Sequence, residues 1–212
     1  VTDKISYSEF AMTDLLDAFA SNEPLPGGGS ASALAGALGV SLLLMVAGLP
    51  KTRSGTSVPE EAADLAEASS RLRRLRDRLA SLVDSDSEAY RSLLTAMRMP
   101  KSSEDERNER TAAVQAAMKA ATEVPLETMR ECQQALAGSV VVARNAHRPA
   151  ASDAIVAVEL LTAAVRGSGV NVDVNLAGIK DAHYCERIRT EREELAVDSE
   201  ADAERARELL KA

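Results

Sequence analysis

Aromatic side chains are nearly missing from this chain: three Tyr, two Phe and no Trp in 212 residues. A pocket that grips its ligand by stacking several rings is therefore not expected, and the core must be assembled from Ala, Leu, Val and Met. Cysteine and histidine are equally scarce. Cys132 and Cys185 are too few for a disulfide framework, and with His147 and His183 they match no zinc-ligand spacing, so no metal is expected. Basic charge is in deficit, 25 Lys and Arg against 33 Asp and Glu for a net charge of -8. This argues against nucleic acid as a partner, because phosphate binding draws on surplus Lys and Arg. Residues 1–12 lack the basic start and apolar stretch of a signal segment. The longest apolar run, Ala31 to Pro50, is interrupted by Ser32, Gly36, Gly39, Ser41 and Gly48. Its length alone would suit a membrane span, but no other part of the chain is adapted to one, and a cytoplasmic protein without membrane association is expected.

Alanine fills the gap: 38 of the 212 residues. It favours helix and lets helices approach closely, yet each one adds little apolar area. Such a chain gains by packing helix on helix over a wide surface, and by sharing that surface with a second subunit. The length suits one domain spanning 1–212 with a real core.

The pattern predicts helices throughout. A first helix is expected from Ser8 to about Ala20, with Ser8 as cap and Phe10, Leu15, Leu16 and Phe19 near one face. Pro24, Pro26 and Gly27–Gly29 make residues 21–30 a loop, opening into a closely surrounded small-residue helix from about Ser30 to Ala47. A long helix from Glu60 to about Met97 carries Leu65, Leu72, Leu75, Leu79 and Leu82 at three- and four-residue spacing. Its basic cluster Arg71–Arg78 lies on other faces. Ser102 or Ser103 caps the next helix, with Asp105 and Glu106 in its first turn, and Pro125 should kink or restart it. Ser152 caps a helix that Gly167 and Gly169 are expected to interrupt. Residues 186–212 read as a charged helical extension, solvated or partner-seeking. Residues 170–175 alternate briefly, but one short strand forms no sheet.

Four local features carry chemistry. Gly27, Gly28 and Gly29 at a helix start leave backbone N–H groups available to an anion or carbonyl, with the helix dipole assisting. The Lys-Ser/Thr ending and preceding strand of a mononucleotide loop are missing. Asp84, Asp86 and Glu88, followed by Tyr90 and Lys101, lie where a leucine-patterned helix buries a face. A buried carboxylate there has a raised pKa and serves as acid or base near neutrality, whereas a solvated acidic face would do nothing. Asn171, Asp173 and Asn175, followed by Asp181, form a polar face suited either to an amide-like ligand edge or to a structural network. Ser152 and Asp153 open a helix, as a cap or as ligand contacts.

These blocks, in this order, resemble the cyclodeaminase/cyclohydrolase family, which includes the C-terminal cyclodeaminase domain of formiminotransferase-cyclodeaminase and stand-alone methenyltetrahydrofolate cyclohydrolases. The resemblance covers roughly residues 8–185. It rests on Pro24 through Ser30 and the small-residue helix, Asp84, Asp86, Ala89 and Tyr90, Pro100-Lys101, Ala121 through Leu126, Ser152-Asp153, Asn171 to Leu176, and Asp181. It implies an all-α bundle of long antiparallel helices, a homodimer, a tetrahydrofolate substrate, and no cofactor. Two places depart from the family pattern: residues 51–57 lack the usual Lys-rich stretch ending in Tyr, and His147 and Pro149 stand where Asn is usual.

The resemblance implies attack on a one-carbon unit bridging N5 and N10 of tetrahydrofolate. The expected reaction is hydrolysis of 5,10-methenyltetrahydrofolate to 10-formyltetrahydrofolate. The alternatives are cyclodeamination of formimidoyltetrahydrofolate with loss of ammonia, or a diverged member acting on another substrate. Asp84 or Asp86 is expected as base, Lys101 as electrostatic partner, and Asp153 and Asp181 as further candidates. Pro26, Gly27, Gly28, Gly29, Ser30, Ser152, Asn171 and Asn175 are the expected substrate contacts. A non-catalytic folate-binding or assembly protein is the competing class, and retention of Asp84, Asp86 and Lys101 favours catalysis.

Overall fold

The computed structural model describes residues 6–49, 59–145 and 147–211; the departure expected at 51–57 lies outside them. A 3-10 turn at Tyr7–Glu9 precedes α1 (Met12–Ala20), α2 (Gly28–Gly48), α3 (Pro59–Met97), α4 (Glu104–Asn145), α5 (Ala151–Leu176) and α6 (Ala182–Lys211). The fold is all-α, with no strand among the described residues. Helices α2, α3, α4 and α5 form a ring in which each packs antiparallel to its neighbours, and α6 lies across α4 and α5. Arg78 pairs with Glu127 to fix the α3–α4 register, and Asp173 with Arg192 and Glu159 with Arg207 fix α5 against α6. Leu43, Leu72, Leu79, Leu82, Leu126, Met129, Leu136 and Leu161 fill the centre. Each contributes about 1.5–3 kcal/mol through burial.

Several local expectations change, each for a packing reason. The first helix is split, because the Asp84 carboxylate accepts the Tyr7 and Ser8 N–H groups and the Ser8 hydroxyl, drawing the 3-10 turn onto α3. Gly28 and Gly29 belong to α2 rather than to the preceding loop, with Gly27 at the cap position. Pro125 neither kinks nor restarts α4, which runs through it. Proline removes the donor to the carbonyl four residues back, and Asn175 Nδ2 supplies that carbonyl, Ala121 O, at 3.0 Å. Gly167 and Gly169 do not interrupt α5; a β-carbon at Gly167 would stand 2.5 Å from Ser32 Oγ, so its smallness serves close packing. Ser152 is not a cap: a 3-10 turn at Arg148–Ala150 feeds α5, and Ala150 takes the cap position. Of the 186–212 segment, residues 186–211 are part of α6, and Ile188, Ala203 and Ala206 are fully buried against the bundle. At α4, by contrast, Ser103 Oγ accepts from Glu106 N while Glu106 Oε2 accepts from Ser102 N and Ser103 N, the reciprocal cap expected there.

One face remains apolar and open. Along α2 and its C-cap Leu49, the residues Ala31, Ala35, Leu38, Leu42, Met45 and Leu49 recur at alternating four- and three-residue spacing; Leu38 is 52% exposed and Met45 and Leu49 are exposed, while Ala35 and Leu42 pack partly against the core. On the adjoining α5, Val156, Val170 and Val174 are exposed. By length and composition, Gly28–Gly48 and Arg148–Leu176 would each suffice to cross a membrane, although 39% and 50% of the respective apolar windows are buried inside the bundle.

Candidate functional site

The α2 N-terminus, the middle of α3 and the C-terminal end of α5 meet at one end of the bundle. Asp86 on α3 points at the glycine turn. Its Oδ2 accepts from Ser30 N at 2.9 Å and from Ser30 Oγ at 3.0 Å. The Ser30 hydroxyl also reaches Val83 O and lies 3.2 Å from Ser87 Oγ. A β-carbon at Gly29 would stand 2.1 Å from Asp86 Oδ1, so only glycine fits there. Burial pushes the Asp86 carboxyl above its ordinary value, against the opposing pull of the Ser30 hydroxyl and N–H. One oxygen is thus anchored, and the other lies against Gly29; the Gly28 and Gly29 N–H groups start the helix and have no intrahelical acceptor.

Asn171 and Asn175 flank the same turn from α5. A β-carbon at Gly28 would lie 3.6 Å from Asn171 Nδ2, and that amide donates to Gly167 O at 2.9 Å. Asn175 donates to Ala121 O. Both amides therefore spend a donor on the backbone and retain their carbonyl oxygens as acceptors. Pro26, buried, follows Leu25 through a cis peptide just before the turn.

The remaining expected residues lie elsewhere or have other partners. Asp84 faces the N-terminal turn, accepting from Ser6 Oγ at 2.9 Å, Ser8 Oγ at 2.7 Å and Tyr7 N at 2.5 Å. Asp181 accepts Tyr184 N at 3.0 Å at the start of α6 and pairs with Lys119 Nζ at 2.6 Å. The Lys119 hydrogen bond, then that N–H, hold its carboxyl below the usual range, which suits an anchor better than a base. Lys101 is exposed beyond the end of α3, past Met97, which is itself about 16 Å along the helix from Asp86. Ser152 and Asp153 lie at the opposite end of α5, about 27 Å from Asn171 along the axis. Within one chain they do not meet Asp86.

A second polar group went unpredicted. The Tyr184 hydroxyl donates to Glu123 Oε1 at 3.0 Å, and Lys119 Nζ and the Arg187 guanidinium lie 5.0 and 5.2 Å from its ring centroid. Burial, then the Glu123 carboxylate, raise the Tyr184 phenol well above its ordinary value. The α3–α4 register puts Asp86 level with Lys119. The spacing of Asp181 and Tyr184, three residues apart at a helix start, was the available signal. A groove of about 710 Å³ between the first half of α3 and the second half of α4 carries Arg71, Arg74 and Arg144 and does not include Asp86.

Comparison with known proteins points to one family. A family profile described as formiminotransferase-cyclodeaminase matches residues 11–194. The chain is 36% identical over 196 residues to a methenyltetrahydrofolate cyclohydrolase of Methylorubrum extorquens, covering 92% of this chain and 93% of that protein. It is 33% identical over 170 residues to the formimidoyltransferase-cyclodeaminase of Gallus gallus, covering 80% of this chain but only 30% of that protein. The crystal structure of a formiminotetrahydrofolate cyclodeaminase from Thermotoga maritima superposes with a TM-score of 0.84 at 26% identity, covering 96% of each chain.

Proposed function

The chain belongs to the formiminotransferase-cyclodeaminase family, and from that premise we propose that it hydrolyses 5,10-methenyltetrahydrofolate to 10-formyltetrahydrofolate. The observation that carries this reading is Asp86: a carboxyl raised by burial, anchored through one oxygen and aimed at a glycine helix start. Likeness over nearly the full length of both chains to a cyclohydrolase supports it.

In the proposed step, the free Asp86 oxygen takes a proton from water as the water oxygen bonds to the methenyl carbon. The carbon becomes tetrahedral, and the cationic amidinium becomes neutral. Asp86 returns the proton to N5 as the carbon–N5 bond breaks. The hydroxyl proton leaves to solvent, and the formyl group remains on N10. A base whose pKa lies nearer neutrality than that of an exposed aspartate is suited to both transfers. The Gly28 and Gly29 N–H groups face oxygen that gains negative character, and the Asn171 and Asn175 carbonyls offer acceptors to pterin N–H groups.

Formimidoyltetrahydrofolate cyclodeamination is the second reading, favoured by the full-length likeness to the Thermotoga enzyme. There N10 attacks the formimino carbon, and Asp86 shuttles the proton to departing ammonia. The exposed α2–α5 face supports a homodimer.

Purified protein mixed with methenyltetrahydrofolate, followed by loss of near-ultraviolet absorbance, tests the first reading. Acceleration over the spontaneous rate is expected. No acceleration across neutral pH would reject it, and ammonia release from formimidoyltetrahydrofolate would then distinguish the second.

A further inference from the structure

The Ser30 hydroxyl has more acceptors around it than protons to give. Val83 O lies 2.8 Å from Ser30 Oγ, Asp86 Oδ2 lies 3.0 Å away, and the Ser87 hydroxyl closes the group at 3.2 Å. A serine hydroxyl offers one donor and two lone pairs. The carbonyl and the ionised carboxylate can only accept, so the single Ser30 proton satisfies one of them at a time. Ser87 is fully buried, and Ser30 Oγ is the partner its hydroxyl has among the described residues. Were Ser30 to donate to Ser87, the Ser87 proton would have no acceptor, and neither Val83 O nor Asp86 would receive the Ser30 proton. The Ser87 proton therefore goes to Ser30 Oγ.

We propose that Ser87 is a positioning residue for Asp86 that acts through Ser30: by donating to Ser30 Oγ it strengthens Ser30 as a donor and holds the Ser30 proton on the ionised carboxylate. This role rests on the folate reading, in which Asp86 is the base. It gives a task to a side chain that is sealed from substrate.

Hydrogen bonds in a chain polarise one another, and those ending on a charge are the strongest. The chain from Ser87 through Ser30 to Asp86 ends on a charge only when Asp86 is ionised. Once Asp86 is protonated, Val83 O is the nearer acceptor and Ser30 can turn to it. Ser87 thus favours the ionised form and opposes the burial that raises the carboxyl. It also sets which oxygen is basic. Oδ2 already accepts from Ser30 N and Ser30 Oγ, so an arriving proton lands on Oδ1, the oxygen against Gly29.

Among the described residues no charged neighbour competes with this chain. Burial, the Ser30 hydroxyl and the Ser30 N–H are what act on the Asp86 carboxyl. On α3, Asp84 is turned to the N-terminal turn, Glu88 stands on the opposite side of the helix, and Tyr90, one turn on, is exposed. Glu23 in the loop before α2 is exposed. Helix α2 presents Gly28, Gly29 and Ser30, and α5 presents the amides Asn171 and Asn175, with Asp173 paired to Arg192. Lys119 of α4, level with Asp86, is held by Asp181.

Two measurements test this role. In protein carrying carbon-13 in its aspartate carboxyls, NMR titration reads the Asp86 pKa without substrate, and the signal absent from Asp86→Asn gives the assignment. The pH–rate profile on methenyltetrahydrofolate reads the same group during turnover. Ser87→Ala should raise the pKa by about half a pH unit in both, so turnover falls more on the acid limb than on the plateau. Ser87→Cys fills the space but donates weakly, and should move the pKa the same way. Ser30→Ala should move it further. Adding Ser87→Ala to Ser30→Ala should move it no more, because Ser87 reaches Asp86 only through Ser30. Ser87→Ala and Ser87→Cys proteins that titrate with the wild type overturn the assignment. So does a double variant shifted beyond Ser30→Ala, or a rate lowered equally at every pH with the limb in place. If wild type turns over neither folate, the proposed function fails by itself. The NMR series then decides alone: the same pattern of shifts supports the chain from Ser87 to Asp86, and an unshifted Ser87→Ala overturns it.

Discussion

Asn175 of α5 donates a hydrogen bond to the Ala121 carbonyl of α4 at 3.0 Å, and that carbonyl is the one Pro125 leaves without its helical donor. The pair joins a residue expected to bind substrate to a helix expected to break. Asn175→Ala should cost about 1–3 kcal/mol by leaving a buried carbonyl unsatisfied. Pro125→Ala restores a backbone N–H to the same oxygen, so the double variant should regain most of the loss. Urea unfolding of the four proteins measures the coupling; an Asn175→Ala loss unaffected by Pro125→Ala would disprove the link.

Asp86→Asn should keep the fold and lower turnover by about 10²–10⁴-fold, the usual contribution of a positioned base. The variant should also be more stable than wild type at pH 7. Because burial raises the Asp86 pKa in the folded state, the stability Asp86 contributes is full below its unfolded value of 3.8 and is lost as pH rises through the folded value. The stability gap between variant and wild type should therefore open with rising pH, as read by thermal melts from pH 3 upward.

The pH–rate profile should report the same group. Turnover should rise with pH along a limb that lies above the ordinary aspartate range, since only the ionised carboxyl accepts the proton of water. A limb at the position of an exposed aspartate would assign the base elsewhere.

Gly29→Ala should displace Asp86, because its β-carbon would stand 2.1 Å from Oδ1. Turnover should fall sharply. Gly48→Ala, on the same helix with nothing within 4 Å of the new carbon, should leave turnover unchanged. Equal losses in both variants would mean that helix disturbance, not the Asp86 contact, is responsible.

Asp84→Ala separates the two adjacent acids. It should release the 3-10 turn at Tyr7–Glu9, with faster proteolysis near Phe10 and a stability loss of about 1–3 kcal/mol. Turnover of the folded fraction should remain near wild type. A loss as deep as that of Asp86→Asn would give Asp84 a chemical role.

The helical class was legible in the sequence because alanine abundance and three- and four-residue leucine spacing act locally, through propensity and one-sided burial. The glycine turn, the Asp84–Asp86 block and the Asn171–Asn175 face were legible for the same reason: each lies within two turns of one element. Which acid faces the turn was not. Asp84 and Asp86 differ by two residues, and only the packing of α2 against α3 sends one to the N-terminal turn and the other to Ser30. Helix continuity through Pro125 and Gly167 was likewise hidden, since it depends on Asn175 and Ser32, partners 50 or more residues away. The separation of Asp153 from Asn171 follows from the rise of a single unbroken helix, and that continuity was itself decided by tertiary contacts. Sequence determined which residues carry charge, smallness and helix propensity; the tertiary structure decided which of them meet, because a side chain's direction is fixed only when its helix is locked against a neighbour.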